Sequence, residues 1–261
     1  MIAGGCYKPS GFSALEHGLN NTVKSFFVWG LIQLTVISGI IAALAPGIAL
    51  MLYFYLKHEY TSPPFQLILR LFVAGVLIVL PVVIIQRGLI LWVGQGVAVN
   101  AFIVSALVEE FLKWFILYYL VYTHSSFDEP SDGIVYAVSV SLGFATLENI
   151  LYAWSLDASI TVMMLRALLP VSGHALFAVT MGYYLALSKF DVAGTKKYMY
   201  VGLSILSPVL WHGSFNYINM SQYNVWMHAI IIPFMLFLWA LSLYRLQSLN
   251  KKSPYFVDVS I

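Results

Sequence analysis

The stretch at residues 104–122, VSALVEEFLKWFILYYLVY, decides how this chain is read. It is apolar enough to lie inside a bilayer, yet it carries Glu109, Glu110 and Lys113. A charge near the centre of a membrane helix costs a few kcal/mol, so such groups face the interior of a bundle and pair there. Helical spacing places Lys113 three residues from Glu110 and four from Glu109, within reach of both. Adjacent residues project about 100° apart on a helix, so the two glutamates cannot do the same job. One can pair with Lys113 while the other faces a different partner.

The rest of the chain agrees with a lipid environment. Of 261 residues, 61% are hydrophobic and 9% charged, and the mean hydropathy is +0.85. Soluble domains carry about a quarter charged residues, so this chain cannot cover its surface with polar groups. The reading is one membrane domain. A net charge of +2, scattered through loops, gives no nucleic-acid footprint. Cys6 is the single cysteine, which excludes an internal disulfide. The string IAGGC at 2–6 lacks the basic and apolar segments that precede a lipoprotein cleavage box.

Crossing the hydrocarbon takes about 20 apolar residues. On that measure the fold is an all-α, polytopic membrane helix bundle of about seven transmembrane helices. The expected spans are 31–56, 65–86, 99–122, 132–155, 162–188, 198–219 and 224–245, with a kink at Pro46, a break at Pro81, and Pro170, Pro208 and Pro233 inside the later spans. Residues 88–98 extend the second span or dip into the interface. Residues 1–30 form an N-terminal tail, 31–248 the transmembrane domain and 249–261 a cytoplasmic tail. Lys57, Lys189, Lys196, Lys197, Lys251 and Lys252 fall on one side, against Lys8, Lys24 and Arg87 on the other. Basic loops stay in the cytoplasm, so the N-terminus is expected outside and the C-terminus inside.

Further ionisable groups occupy the following spans. Asp132 stands at the mouth of the fourth, Glu148 lies deep within it, His174 is in the fifth, and His212 and Asn216 share one stripe of the sixth. Each has an ordinary explanation alone. A single imidazole or Asn216 can be helix glue, Asp132 a helix N-cap, Arg166 a snorkelling cation and His228 an interfacial group. Together they form a water-loving cluster. A desolvated glutamate can take a proton from water for peptide hydrolysis, with His212 and Asn216 donating to the oxyanion. Alternatively Glu148, His174 and His212 can hold Zn²⁺ with an open fourth position. There is no HExxH helix. On residues alone, an intramembrane protease and a proton or ion transporter stand level. A non-catalytic scaffold that binds transmembrane helices is a third possibility.

Four segments in order, EEFLKW, DGIVYAVSVSLGFATLENILY, HALFAVTMG and HGSFN, resemble the motifs of the PrsW family of intramembrane proteases. The similarity extends from about residue 35 to residue 250 and includes APGIALMLYFYLKHEY at 45–60 and MLRALLPVSGHA. The wider superfamily includes the prenyl-protein endoproteases. This chain departs from their pattern at Lys113, three residues after the second glutamate, and at Glu148, where those enzymes have histidine. The resemblance implies site-1 cleavage of a single-span membrane anti-sigma factor on its extracytoplasmic side, in regulated intramembrane proteolysis that releases a stress sigma factor. It also implies Glu109 as general base, Glu110 held by Lys113, Glu148 and His174 positioning a water or metal, and His212 and Asn216 completing the site. Asp132 is expected to support it.

Overall fold

In a computed structural model, the structure describes residues 10–60, 62–94, 96–155, 160–190, 194–221 and 225–256. Among these, every regular element is a helix. They are α1 (Ser10–Leu56), α2 (Phe65–Leu77), α3 (Val79–Val93), α4 (Val97–Val99), α5 (Val108–Val121), α6 (Asp132–Ser155), α7 (Ile160–Arg166), α8 (Ser172–Phe190), α9 (Thr195–Met220) and α10 (Val225–Asn250). A π-helical stretch, Asn100–Leu107, joins α4 to α5, and a second, Ala167–Val171, joins α7 to α8. The chain forms two units, Met1–Ile41 and Ala42–Ile261. In the first, Phe26, Phe27 and Trp29 are exposed. The second holds all of the site residues. The first nine residues of the expected tail, residues 257–261 of the other, and the side chain of His228 lie outside the described residues.

Among the described residues, five helical stretches are long and apolar enough to cross a membrane: Ile37–Leu56, Phe65–Val93, Asp132–Trp154, Thr161–Phe190 and Ala229–Asn250. The chain is therefore a multi-pass membrane protein. The expected span 65–86 extends through α3 to Val93. Its break lies at Ile78, ahead of Pro81, because a proline at 81 cannot donate to the carbonyl of Leu77. The other two expected spans correspond to α4–α5 and α9, which are not among these five.

The core is built around α6, which is buried on almost every side. Small residues make this possible. A Cβ on Gly75 would lie 1.9 Å from the carbonyl oxygen of Val140, and one on Gly143 would lie 2.0 Å from that of Phe72. The backbones of α2 and α6 thus touch, as small residues allow in membrane bundles. The larger side chains Tyr136, Ile134 and Leu142 fill the remaining space with no measurable exposure.

Gly143→Ala forces a backbone contact apart and is expected to cost about 1–3 kcal/mol. Gly88→Ala, where a Cβ meets nothing within 4 Å, is the matched control and should be near neutral. Thermal unfolding of the two variants in detergent checks the difference.

Candidate active site

The site assembles where the N-terminal end of α5, the later half of α6, the start of α8 and the later half of α9 converge. Lys113 bonds Glu110, with Nζ 2.8 Å from Oε1, and also lies 3.6 Å from Oε2 of Glu109. Glu110 Oε1 accepts a second bond at 2.8 Å from Nδ1 of His212. Lys113 Nζ is 3.0 Å from Nδ1 of His174, and Nε2 of His174 is 3.1 Å from Oε2 of Glu148. The relay runs Glu148–His174–Lys113–Glu110–His212.

The partners fix both tautomers. An ammonium only donates, so Nδ1 of His174 accepts from Lys113 and its Nε2–H donates to Glu148. Glu110 as a carboxylate only accepts, so Nδ1–H of His212 donates to it. The lone pair of His212 Nε2 is thereby left facing Glu109, 3.9 Å from its Oε2. The ring of Phe177 stacks on His212 at 5.1 Å and holds its plane. Next along the chain, a Cβ on Gly213 would sit 2.1 Å from Cδ1 of Phe102, so glycine lets α9 close on the π-helical stretch beside His212.

Glu109 and Glu110 have different surroundings. Oε1 of Glu109 accepts 3.0 Å bonds from Nε2 of Gln86 and Oγ of Ser105. Ser105 in turn accepts from Nδ2 of Asn216 at 2.8 Å. Oε2 of Glu109 is buried without a hydrogen bond, and so is Oε2 of Glu110. Glu109, Glu148, His174, His212, Asn216 and Ser105 all line a cavity of about 510 Å³, whose other walls include Leu165, Pro170, Phe215 and Met220.

All six expected catalytic residues therefore meet in one place, together with Lys113. Asp132 does not. It lies 16 residues before Glu148 on α6, about 24 Å away along the axis. There Oδ2 accepts from the backbone N–H of Glu129 at 2.9 Å, and Oδ1 is 3.0 Å from Nε2 of His58. It anchors a loop at the other end of the bundle.

The sequence reading missed Ser105, Gln86 and the role of Arg166. Ser105 precedes Glu109 by one helical turn, which was a usable signal. Gln86 interrupts the apolar run VVIIQ, a weaker one. Arg166 does not snorkel. Its Nε donates to Oδ1 of Asn149 at 2.7 Å, its guanidinium lies 3.9 Å from the ring centre of Tyr152, and Nη2 is 3.8 Å from Oε2 of Glu148. It braces Glu148 at the cavity wall.

Among the described residues, one set of donors can hold a metal ion. Glu109, Glu110, His174 and His212 each offer a ligand atom, all within 4.8 Å of one another and all from buried residues. Two carboxylates and two imidazoles suit zinc in kind, and the two unbonded carboxylate oxygens are where a cation is needed. Glu148 stands behind His174, outside that set.

A model of the family described as "PrsW family intramembrane metalloprotease" matches residues 63–242. The chain belongs to the PrsW family. It is therefore an intramembrane protease of that family. It is 48% identical over 202 residues to Protease PrsW of Geobacillus kaustophilus, covering 76% of this chain and 86% of that one. The same identity holds over 199 residues with Protease PrsW of Bacillus subtilis, covering 76% and 89%. With Protease PrsW of Clostridioides difficile it is 31% over 211 residues, covering 78% and 88%. No solved structure matches.

Ser105→Ala removes one of two hydrogen bonds that aim the carboxylate of Glu109. A bond to a charged group contributes about 1.5–3 kcal/mol, so kcat should fall roughly 10- to 100-fold. KM should hold, because the serine serves the carboxylate and not the substrate. Steady-state cleavage of a single-span substrate in micelles checks both constants.

Proposed function

We propose that Glu109 is the general base of a peptide hydrolase that works inside the membrane. The single observation that carries this is the gap between Oε2 of Glu109 and Nε2 of His212. At 3.9 Å, it brings two acceptors within hydrogen-bond reach of one water. Both groups line the cavity, and neither of these atoms is tied by a bond of ordinary length. Glu109 takes the proton as the water attacks the scissile carbonyl and returns it to the leaving amine. Its Oε1 stays fixed by Gln86 and Ser105 throughout. Asn216 spends one amide hydrogen on Ser105 and has a second for the developing oxyanion.

Glu110 has a separate task. Fully buried between Lys113 and His212, it fixes the imidazole tautomer that presents a lone pair to the water. Glu148 does the same for His174, braced by Arg166. Where a divalent ion is bound, Glu109, Glu110, His212 and His174 would be its ligands. It would supply Lewis acidity that makes a water more acidic and polarises the carbonyl.

The substrate we infer is a single-span membrane anti-sigma factor cut in the first step of regulated intramembrane proteolysis, with a stress sigma factor released after it. The resemblance across four ordered motifs supports that reading, and so does the placement of the site. Lys57, Lys189, Lys196, Lys197, Lys251 and Lys252 cap one end of the helices, and the catalytic cluster lies toward the other. With basic loops in the cytoplasm, the site opens extracytoplasmically and the C-terminus is cytoplasmic. This orientation needs α4–α5 and α9 to cross as well, giving seven spans. The run Val97–Val121 is 25 residues, about 37 Å of helix, which is long enough.

The test is Glu109→Gln in proteoliposomes with a single-span substrate. The isosteric amide cannot accept the proton, so cleavage should fall by roughly 10²- to 10⁴-fold. Cleavage at the wild-type rate would refute the assignment.

A further inference from the structure

Lys113 stands inside the donor set described above as able to hold a metal ion. Its Nζ is 2.8 Å from Glu110 Oε1, 3.0 Å from His174 Nδ1 and 3.6 Å from Glu109 Oε2. It therefore meets three of the four residues in that set. The side chain has no exposure, and the ring of Phe144 lies 4.3 Å from the ammonium. No water shields this charge, so the surrounding lone pairs do. Of these, the His174 lone pair is one that a metal ion would also need. His174 has none to spare while Lys113 is in place, because one ring nitrogen accepts from the ammonium and the other donates to Glu148.

We propose that Lys113 is a built-in cation that competes with a divalent metal ion for these donors. An ammonium and a divalent ion cannot both hold the His174 lone pair, and two cations packed among the same carboxylates repel each other. Metal entry then requires the lysine arm to withdraw, and the ammonium sets the affinity of the site. Without metal, the same ammonium keeps two neighbouring carboxylates from repelling each other. The inference rests on the reading of the donor set as a metal site.

The experiment is a zinc titration of the full-length protein in detergent micelles against a chromophoric chelator of known affinity. Wild type, Lys113→Met, Lys113→Arg and Lys113→Met/Glu110→Gln are compared. Lys113→Met should bind one Zn²⁺ at least about 10-fold more tightly than wild type, whereas Lys113→Arg, which keeps the charge, should show no gain. Adding Glu110→Gln should remove the gain. Thermal unfolding gives a second readout that does not depend on turnover. Without metal, Lys113→Met should melt below wild type, and Zn²⁺ should raise its Tm more than it raises that of wild type, as binding to the folded state alone requires. Equal or weaker Zn²⁺ binding by Lys113→Met than by wild type overturns the proposal, as does the lack of binding by either. Peptide cleavage by wild type in the same micelles reports separately. Cleavage without a gain in Lys113→Met sinks only the competition, whereas no cleavage at all sinks the hydrolase reading.

Discussion

A carboxylate and an ammonium 2.8 Å apart, neither with any exposed surface, hold this structure together at its centre. Glu110 and Lys113 lie one turn apart on α5, so the helix itself brings them together. Their mutual attraction does not by itself repay the loss of water around both charges. Their remaining hydrogen-bonding capacity has to be met by other groups. His212 from α9 adds a second bond to the same oxygen of the glutamate, and His174 from α8 accepts one from the lysine. Through His174 the demand reaches Glu148 on α6. One buried pair thus obliges four helices to converge at one depth, and breaking it by removing one partner would leave a bare charge inside the protein.

The helices meet this demand with local departures from regular geometry. The π-helical stretch Asn100–Leu107 ends two residues before Glu109, and the π-helical turn Ala167–Val171 ends three residues before His174. Each wider turn rotates the residues that follow relative to a plain α-helix. The second contains Pro170, whose missing N–H makes a regular turn impossible there. Irregular turns of this kind collect at functional sites in helical proteins. Here they precede one carboxylate and one imidazole that line the same cavity.

Much of this was legible in the sequence, and the exceptions have physical causes. The expected span 132–155 matches α6 to the residue, because Asp132 and the loop before it mark a sharp polar boundary. The six catalytic candidates meet because intramembrane polar groups have few places to go. Ser105 and Gln86 escaped because a serine or glutamine in a membrane helix is usually a contact between helices. Arg166 was read as snorkelling because sequence does not show which face of a helix borders a cavity, and the π turn beside it changes that face. Asp132 was grouped with the site because it shares a helix with Glu148, and only the length of that helix separates them.

The two adjacent glutamates can now be told apart by their access to water. The side chain of Glu148 is 40% exposed at the cavity wall, that of Glu109 7%, and that of Glu110 not at all. A base must meet water, whereas a group that fixes a tautomer works best where water cannot compete for its hydrogen bonds. Each keeps one oxygen unbonded, but Glu109 lines the cavity and Glu110 does not. The 100° between neighbouring positions on α5 is what allows one turn of helix to serve both surroundings. On the proposed roles, exchanging them would give the proton acceptor the 2.8 Å bond to Lys113 in place of the 3.6 Å approach and remove it from the cavity lining. The order of the pair within the helix is therefore a constraint of the chemistry.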